Sequence, residues 1–158
     1  MKYVLFAIVI FFSACSIKNY ELTKTKVIII KSPKLKFSDL GYVRNTEQSI
    51  EIELFVAGTA VEKITINHLI CTSKGCLTKG GFNEDYLHPS YPSDILQNIF
   101  LAQQIYDGKN LLRTSDGFEQ NIKTKNVDIR YTVKQNNVFF KDRKNKIIFK
   151  IKDIDDQN

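Results

Sequence analysis

Hydrophobic and polar positions alternate with period two through most of the chain. In residues 50–56, Ile50, Ile52, Leu54 and Val56 alternate with Glu51, Glu53 and Phe55. That is the pattern of a strand with one buried and one solvated face, and it puts both glutamates on the solvent side. Gly58-Thr59 supplies a turn, and residues 61–70 return as a second strand in which Ile64 and Ile66 alternate with Lys63 and Thr65. Upstream, residues 27–30 and 35–37 read as short strands broken at Ser32-Pro33, followed by a weak strand at 41–44. Downstream, Val127, Ile129, Tyr131 and Val133 alternate with Asp128, Arg130, Thr132 and Lys134. Turns at 135–137 and 142–146 then separate residues 138–140 from 147–151, so three antiparallel strands are predicted to end the domain.

One segment has helical spacing. After Pro92, Ser93 is placed to cap a stretch whose Ile95, Leu96, Ile99 and Phe100 share a face, and Gly108 marks its end. The predicted helix covers residues 93–106. Residues 71–91, with Gly75, Gly80, Gly81, Phe82, Tyr86 and Tyr91, read as an irregular insert. Strands, one helix near the middle and strands again predict an α+β domain: a curved antiparallel sheet packed around one main helix.

The first residues have a different pattern. Lys2 precedes an apolar run at 4–12, which reaches the small-residue site Ser13-Ala14-Cys15. A charged start, a short apolar core and a small-residue site make a signal peptide. A spanning helix needs about 20 apolar residues, and this run is too short to remain as an anchor. Phe12-Ser13-Ala14-Cys15 resembles the lipobox, in which the Cys is acylated, with Phe in the place of the more usual Leu. The expected organisation is a signal peptide at 1–14, lipidated Cys15 with a polar tether to residue 25, one domain at 26–152 and a tail at 153–158. Ser16 after the Cys resembles lipoproteins sorted to the outer membrane, where the domain would face the periplasm.

Removing 14 residues from 158 leaves 144, the size of one domain with a single substantial core. The net charge of +6 falls to +5 once Lys2 is lost, and the cations are spread along the sequence, so no nucleic-acid partner is expected. The densest group, Lys141, Arg143, Lys144 and Lys146, falls at a predicted hairpin tip; solvated turn charges and attraction to anionic lipid head groups are the two readings.

With Cys15 taken by lipid, Cys71 and Cys76 form an even pair in an oxidising compartment, which favours a disulfide between them. The alternative is a zinc site made of His68, Cys71, Cys76 and His88, although Cys-x4-Cys is looser than the usual close pair. A dithiol catalyst would want Cys-x-x-Cys. No Gly-x-Ser-x-Gly elbow, phosphate-binding Gly loop or metalloprotease helix motif occurs, so no catalytic residue, resident metal or cofactor is expected and the chain does not read as an enzyme. Glu51 and Glu53 could be offered as paired acids, and Asn83, Glu84 and Asp85 as ion ligands, but solvated carboxylates on a strand face and an ordinary acidic loop are the simpler readings.

Three segments carry a further resemblance: IEIELFVAGTAVEKITIN, PSDILQNIFLAQQIYDGKNL and NVDIRYTVKQNNVFFKDRKNKIIFKIKD. In their order, the sequence resembles the LolB outer-membrane receptors, which accept lipoproteins from the soluble carrier LolA. The resemblance implies a half-open barrel with a helical lid, and acylated lipoproteins or a LolA-like carrier as partners. LolB proteins carry an exposed Leu on a protruding hairpin loop, where this chain has Ala57-Gly58-Thr59-Ala60, and they lack the segment around Cys71 and Cys76. The expected site is an apolar groove lined by Ile95, Ile99, Phe100 and the inward strand residues Ile52, Leu54, Ile129 and Tyr131. The alternative is an assembly lipoprotein that contacts other envelope proteins and holds no small ligand. An open groove favours the first and a packed interior the second.

Overall fold

The structure is a computed structural model and describes residues 22–46 and 48–154. Cys15 and the predicted signal peptide lie outside the described residues. Eleven strands form one antiparallel sheet: β1 (Leu22–Lys31), β2 (Lys36–Asn45), β3 (Ile50–Val56), β4 (Thr59–Ile66), β5 (Leu69–Thr72), β6 (Gly75–Thr78), β7 (Leu111–Thr114), β8 (Gly117–Lys123), β9 (Asp128–Lys134), β10 (Asn137–Asp142) and β11 (Ile147–Asp153). The α-helices among the described residues are short: α1 (Lys79–Tyr86) and α2 (Ile95–Phe100).

The expectation of an α+β domain around one main helix is therefore corrected to a nearly all-β fold. Helical spacing continues only as far as Phe100. Leu101 caps α2, and Ala102 turns to φ 54°, a left-handed value that ends a helix. Four apolar residues on one face fit a helix of six residues as well as one of fourteen, so their spacing could not set its length. The N-cap is Asp94, one residue after the expected Ser93. The insert expected at 71–91 is largely regular: β5 and β6 form a hairpin, and α1 comes next, with Thr78 accepting a cap bond from the Gly81 amide.

The strand order is β6-β5-β4-β3-β2-β1-β11-β10-β9-β8-β7, so the first and last strands are neighbours in the middle and the sheet does not close. Two-residue turns suit this meander. Ala57 and Gly58 both have positive φ between β3 and β4, as do Gln135 and Asn136 between β9 and β10, which matches the right-handed twist of the flanking strands. Residues 79–110 connect one edge strand, β6, to the other, β7. They carry both helices, and they bury Phe82, Leu87, Tyr91, Ile95, Leu96, Ile99, Phe100 and Ile105 against the apolar face of the sheet. An apolar sheet face must be covered, and this crossover is the segment free to do it. The other face carries the alternate residues of every strand, and most of its charges.

Candidate functional site

All seven side chains expected to line an apolar groove lie in one hydrophobic core. Ile52, Ile95, Ile99 and Tyr131 are 0%, 0%, 0% and 0% exposed, Leu54 and Ile129 1%, and Phe100 3%. The structure brings them together as predicted by face, but as a packed interior. Tyr131 stands edge-on to Phe140 and Phe118, and Phe100 edge-on to Phe149, so aromatic edges and faces fill the space between sheet and crossover. The cavity that reaches α2 at Phe100 is about 150 Å³ and is bordered by Lys24, Lys26, Val43, Asn45 and Asn136, with Lys26 paired to Asp153. It is smaller than the range usual for ligand pockets.

Buried polar side chains anchor the crossover, Asp142 and Gln120 with the most bonds to it and its surroundings. Asp142 is 0% exposed; its carboxylate accepts from the Tyr91 hydroxyl at 2.7 Å, from the Asn145 amide at 2.7 Å, and from the backbone N–H groups of Asp128, Lys144 and Asn145. Burial alone would raise its pKa, but the hydrogen bonds from Tyr91, Asn145 and the Asp128 backbone outweigh burial and hold it below the ordinary value. Burial and the neighbouring Asp142 charge push the Tyr91 hydroxyl far up, and the same two causes push Tyr106 up to about 12. Gln120, also 0% exposed, clamps the loop after α2. Its carbonyl oxygen accepts from the Ile105 amide at 2.9 Å, and its amide donates to the Ile105 and Lys109 carbonyls.

That loop is held in an unfavourable conformation, with Ala102, Tyr106, Asp107 and Asn110 at φ 54°, 49°, 51° and 53°. Gln120 and the Tyr131 hydroxyl, which donates to the Gln103 carbonyl at 2.8 Å, over-determine it. Beside it lies a cavity of about 360 Å³ lined by Asp94, Asn98, Gln103, Gln104, Asp107 and Arg113, with Leu111 and Phe118. This lining offers hydrogen-bonding groups from its polar side chains beside the apolar surface of Leu111 and Phe118. Sequence reading missed Asp142 and Gln120 as structural centres. The available signal for Asp142 was its place at the head of the turn Asp142-Arg143-Lys144-Asn145, where Asp accepts from the backbone two and three residues on.

Cys71 and Cys76 stand directly opposite each other on β5 and β6 and are joined by a disulfide. Bonded to each other, the sulfurs are not thiolates for a metal, and His68 is exposed at the β4–β5 turn. His88 has a partner that the sequence reading did not find. Its Nδ1 accepts from the Ser90 hydroxyl at 2.6 Å and from the Ser90 amide at 3.2 Å. Both bonds belong to one local turn, and among the described residues no carboxylate is hydrogen-bonded to His88, so the pair lacks the third group that orients a nucleophile's base. Glu51, expected on the solvent face, does point away from the core but is 1% exposed and ion-paired with Lys63 at 2.9 Å; Glu53 pairs with Arg44 at 2.7 Å. Asn83, at the start of the expected acidic loop, is buried inside α1 and donates to the Pro92 carbonyl at 2.9 Å. Among the described residues no helix is long and apolar enough to cross a membrane. No family model, curated protein or solved structure matches the chain.

Proposed function

We propose that this protein is a lipid-anchored module of the outer membrane, facing the periplasm, that works through its surface on other envelope components and holds no ligand inside its sheet. The packed interior supports this reading. An acyl chain lodged between sheet and crossover would have to displace side chains such as Ile52, Ile99 and Tyr131, each 0% exposed. Burial of such a side chain is worth about 1.5–3 kcal/mol, so opening a groove there is costly. Membrane attachment rests on Lys2, the apolar run at 4–12 and Ser13-Ala14-Cys15, and the outer membrane on Ser16.

The competing outcome is lipoprotein handling, in which an acylated lipoprotein delivered by a LolA-like carrier enters the fold. Melting curves of the purified protein with and without an acylated peptide separate the two. Surface action predicts no shift, and it predicts that Ile99→Glu unfolds the domain, because a buried unpaired carboxylate is strongly destabilising. A raised melting temperature that Ile99→Glu removes without unfolding the domain would establish lipid handling instead.

A further inference from the structure

The face of the sheet turned away from the core has two halves of opposite electrostatic design. On β2–β4 its charges come as pairs, Arg44 with Glu53 and Lys63 with Glu51. Over three rows of β2-β1-β11-β10-β9, which stop short of Asp128 and its partner Arg143 at the start of β9, they do not. One row of cross-strand neighbours reads Lys36, Lys31, Ile148, Lys141, Arg130. The next reads Ser38, Ile29, Lys150, Phe139, Thr132, and the third contains Leu40, Val27 and Lys152, with Asn137 and Lys134 beyond them. Seven of these fifteen positions are cations and none is a carboxylate, and all seven cations are exposed. Among the described residues, none of the seven lies within ion-pair distance of an acid.

Two like-charged pairs stand directly opposite each other, Lys31 with Lys36 and Lys141 with Arg130, which is an unfavourable placement in an antiparallel sheet. Between the cations lie partly exposed Val27, Ile29, Phe139 and Ile148 and the 44% exposed Leu40, and Lys150 lies over the Phe139 ring at 5.8 Å. Lysines whose stems lie on aliphatic surface with their ammonium groups outward suit a boundary that is anionic at the surface and apolar just beneath it.

From this we infer that the outer face of β2-β1-β11-β10-β9 lies on an anionic phospholipid surface, the seven cations meeting lipid phosphates. The inference rests on the membrane-anchored reading above and adds the surface that the anchored domain turns to the bilayer. Cations set at cross-strand spacing over three rows suit an array of lipid phosphates, whereas the paired charges of β2–β4 leave that half neutral. At about 0.15 M salt the screening length is about 8 Å, so cations must come close to the surface to be attracted, and all seven of these are exposed on one face.

The test uses the full chain, purified in mild detergent and added to vesicles of phosphatidylcholine alone or of phosphatidylcholine with phosphatidylglycerol. The modification rate of each lysine by an amine-reactive reagent is read by mass spectrometry. Lys31, Lys36, Lys134, Lys141, Lys150 and Lys152 should react several-fold more slowly on the phosphatidylglycerol vesicles, with Lys63 and Lys109 unchanged. The protection should vanish at about 1 M salt, where the screening length falls to about 3 Å. Lys31→Glu combined with Lys150→Glu should abolish the protection of Lys36, Lys141 and Lys152 without lowering the melting temperature, because Lys31→Glu turns a like-charged cross-strand pair into an opposite one. Equal rates on the two vesicle types overturn the inference. So does protection by soluble polyglutamate without protection by phosphatidylglycerol, which would assign the face to an acidic protein. Failure to stay on phosphatidylcholine vesicles would count against the N-terminal anchor alone, since protection by phosphatidylglycerol is read separately.

Discussion

Asp142→Ala is expected to destabilise the domain more than any surface change, because one buried carboxylate ties the β10–β11 turn to the crossover. The substitution removes two side-chain hydrogen bonds of 2.7 Å and three from backbone amides. The amides of Lys144 and Asn145 sit at the turn and regain water, so little is lost there. The Tyr91 hydroxyl does not, since Tyr91 is 5% exposed, and a buried donor left unsatisfied costs about 1–3 kcal/mol. With the lost hydrogen bonds to a charged group, the total is about 3 kcal/mol. With a urea m-value of about 1–3 kcal/mol per M, the unfolding midpoint should drop by roughly 1–3 M. Tyr91→Phe should cost about 1.5–3 kcal/mol, and in combination with Asp142→Ala it should add much less than that, because the partner is already gone. Fully additive effects, or an Asp142→Ala midpoint within about 0.3 M of wild type, would refute this account of the crossover.

The same carboxylate makes a pH prediction. Its folded pKa lies below the ordinary 3.8, so the stability it contributes is fully present above about pH 4 and is lost as the pH falls through the folded value. Asp142→Asn should flatten the acid limb of a stability-versus-pH curve measured by urea unfolding. Unchanged acid sensitivity would mean that other carboxylates, such as Asp128 held low by Arg143, dominate it. Gly117→Ala should be strongly destabilising, since a Cβ there would lie 2.0 Å from the Val133 carbonyl oxygen, and β8 could remain only by parting from β9; calorimetry should show a clear fall in melting temperature. Cys15→Ala should move the protein out of the membrane fraction, and unchanged membrane association would end the lipid-anchor reading.

Much of the sheet was visible in the sequence because a strand with one face in a core writes its period directly into the residues. Ile50, Ile52 and Leu54, and later Ile129, Tyr131 and Val133, point inward as their alternation required. The strands β6 to β8 were not visible, and Leu69 and Ile70 of β5 read as the end of the strand at 61–70, without the turn at Asn67-His68 that separates β5 from β4. Cys71, Gly75 and Leu112 carry no clear alternation, and these strands exist because neighbours already in the sheet offer them backbone hydrogen bonds.

The length of α2 was beyond sequence reading for a related reason. Ile95, Leu96, Ile99 and Phe100 name the buried face, but the path of the chain beyond Phe100 is decided by Gln120 and Tyr131, which hold the loop in left-handed turns from across the fold. The groove was a prediction about packing. The alternation and helical spacing named its seven side chains as inward-facing, and only the crossover from one sheet edge to the other determined that they close on each other.

The basic face separates the two kinds of information most clearly. Along the chain its cations are dispersed, apart from Lys141 in the dense group at 141–146, for which solvated turn charge and attraction to anionic lipid were the two readings. Lys31 and Lys141 are 110 positions apart, and each pairs with Ile148 on β11 because the first and last strands lie side by side in the sheet. Local alternation set which residues face outward, since that depends only on the pleat of each strand. Which of them stand together was set by register across five strands, which no local pattern encodes.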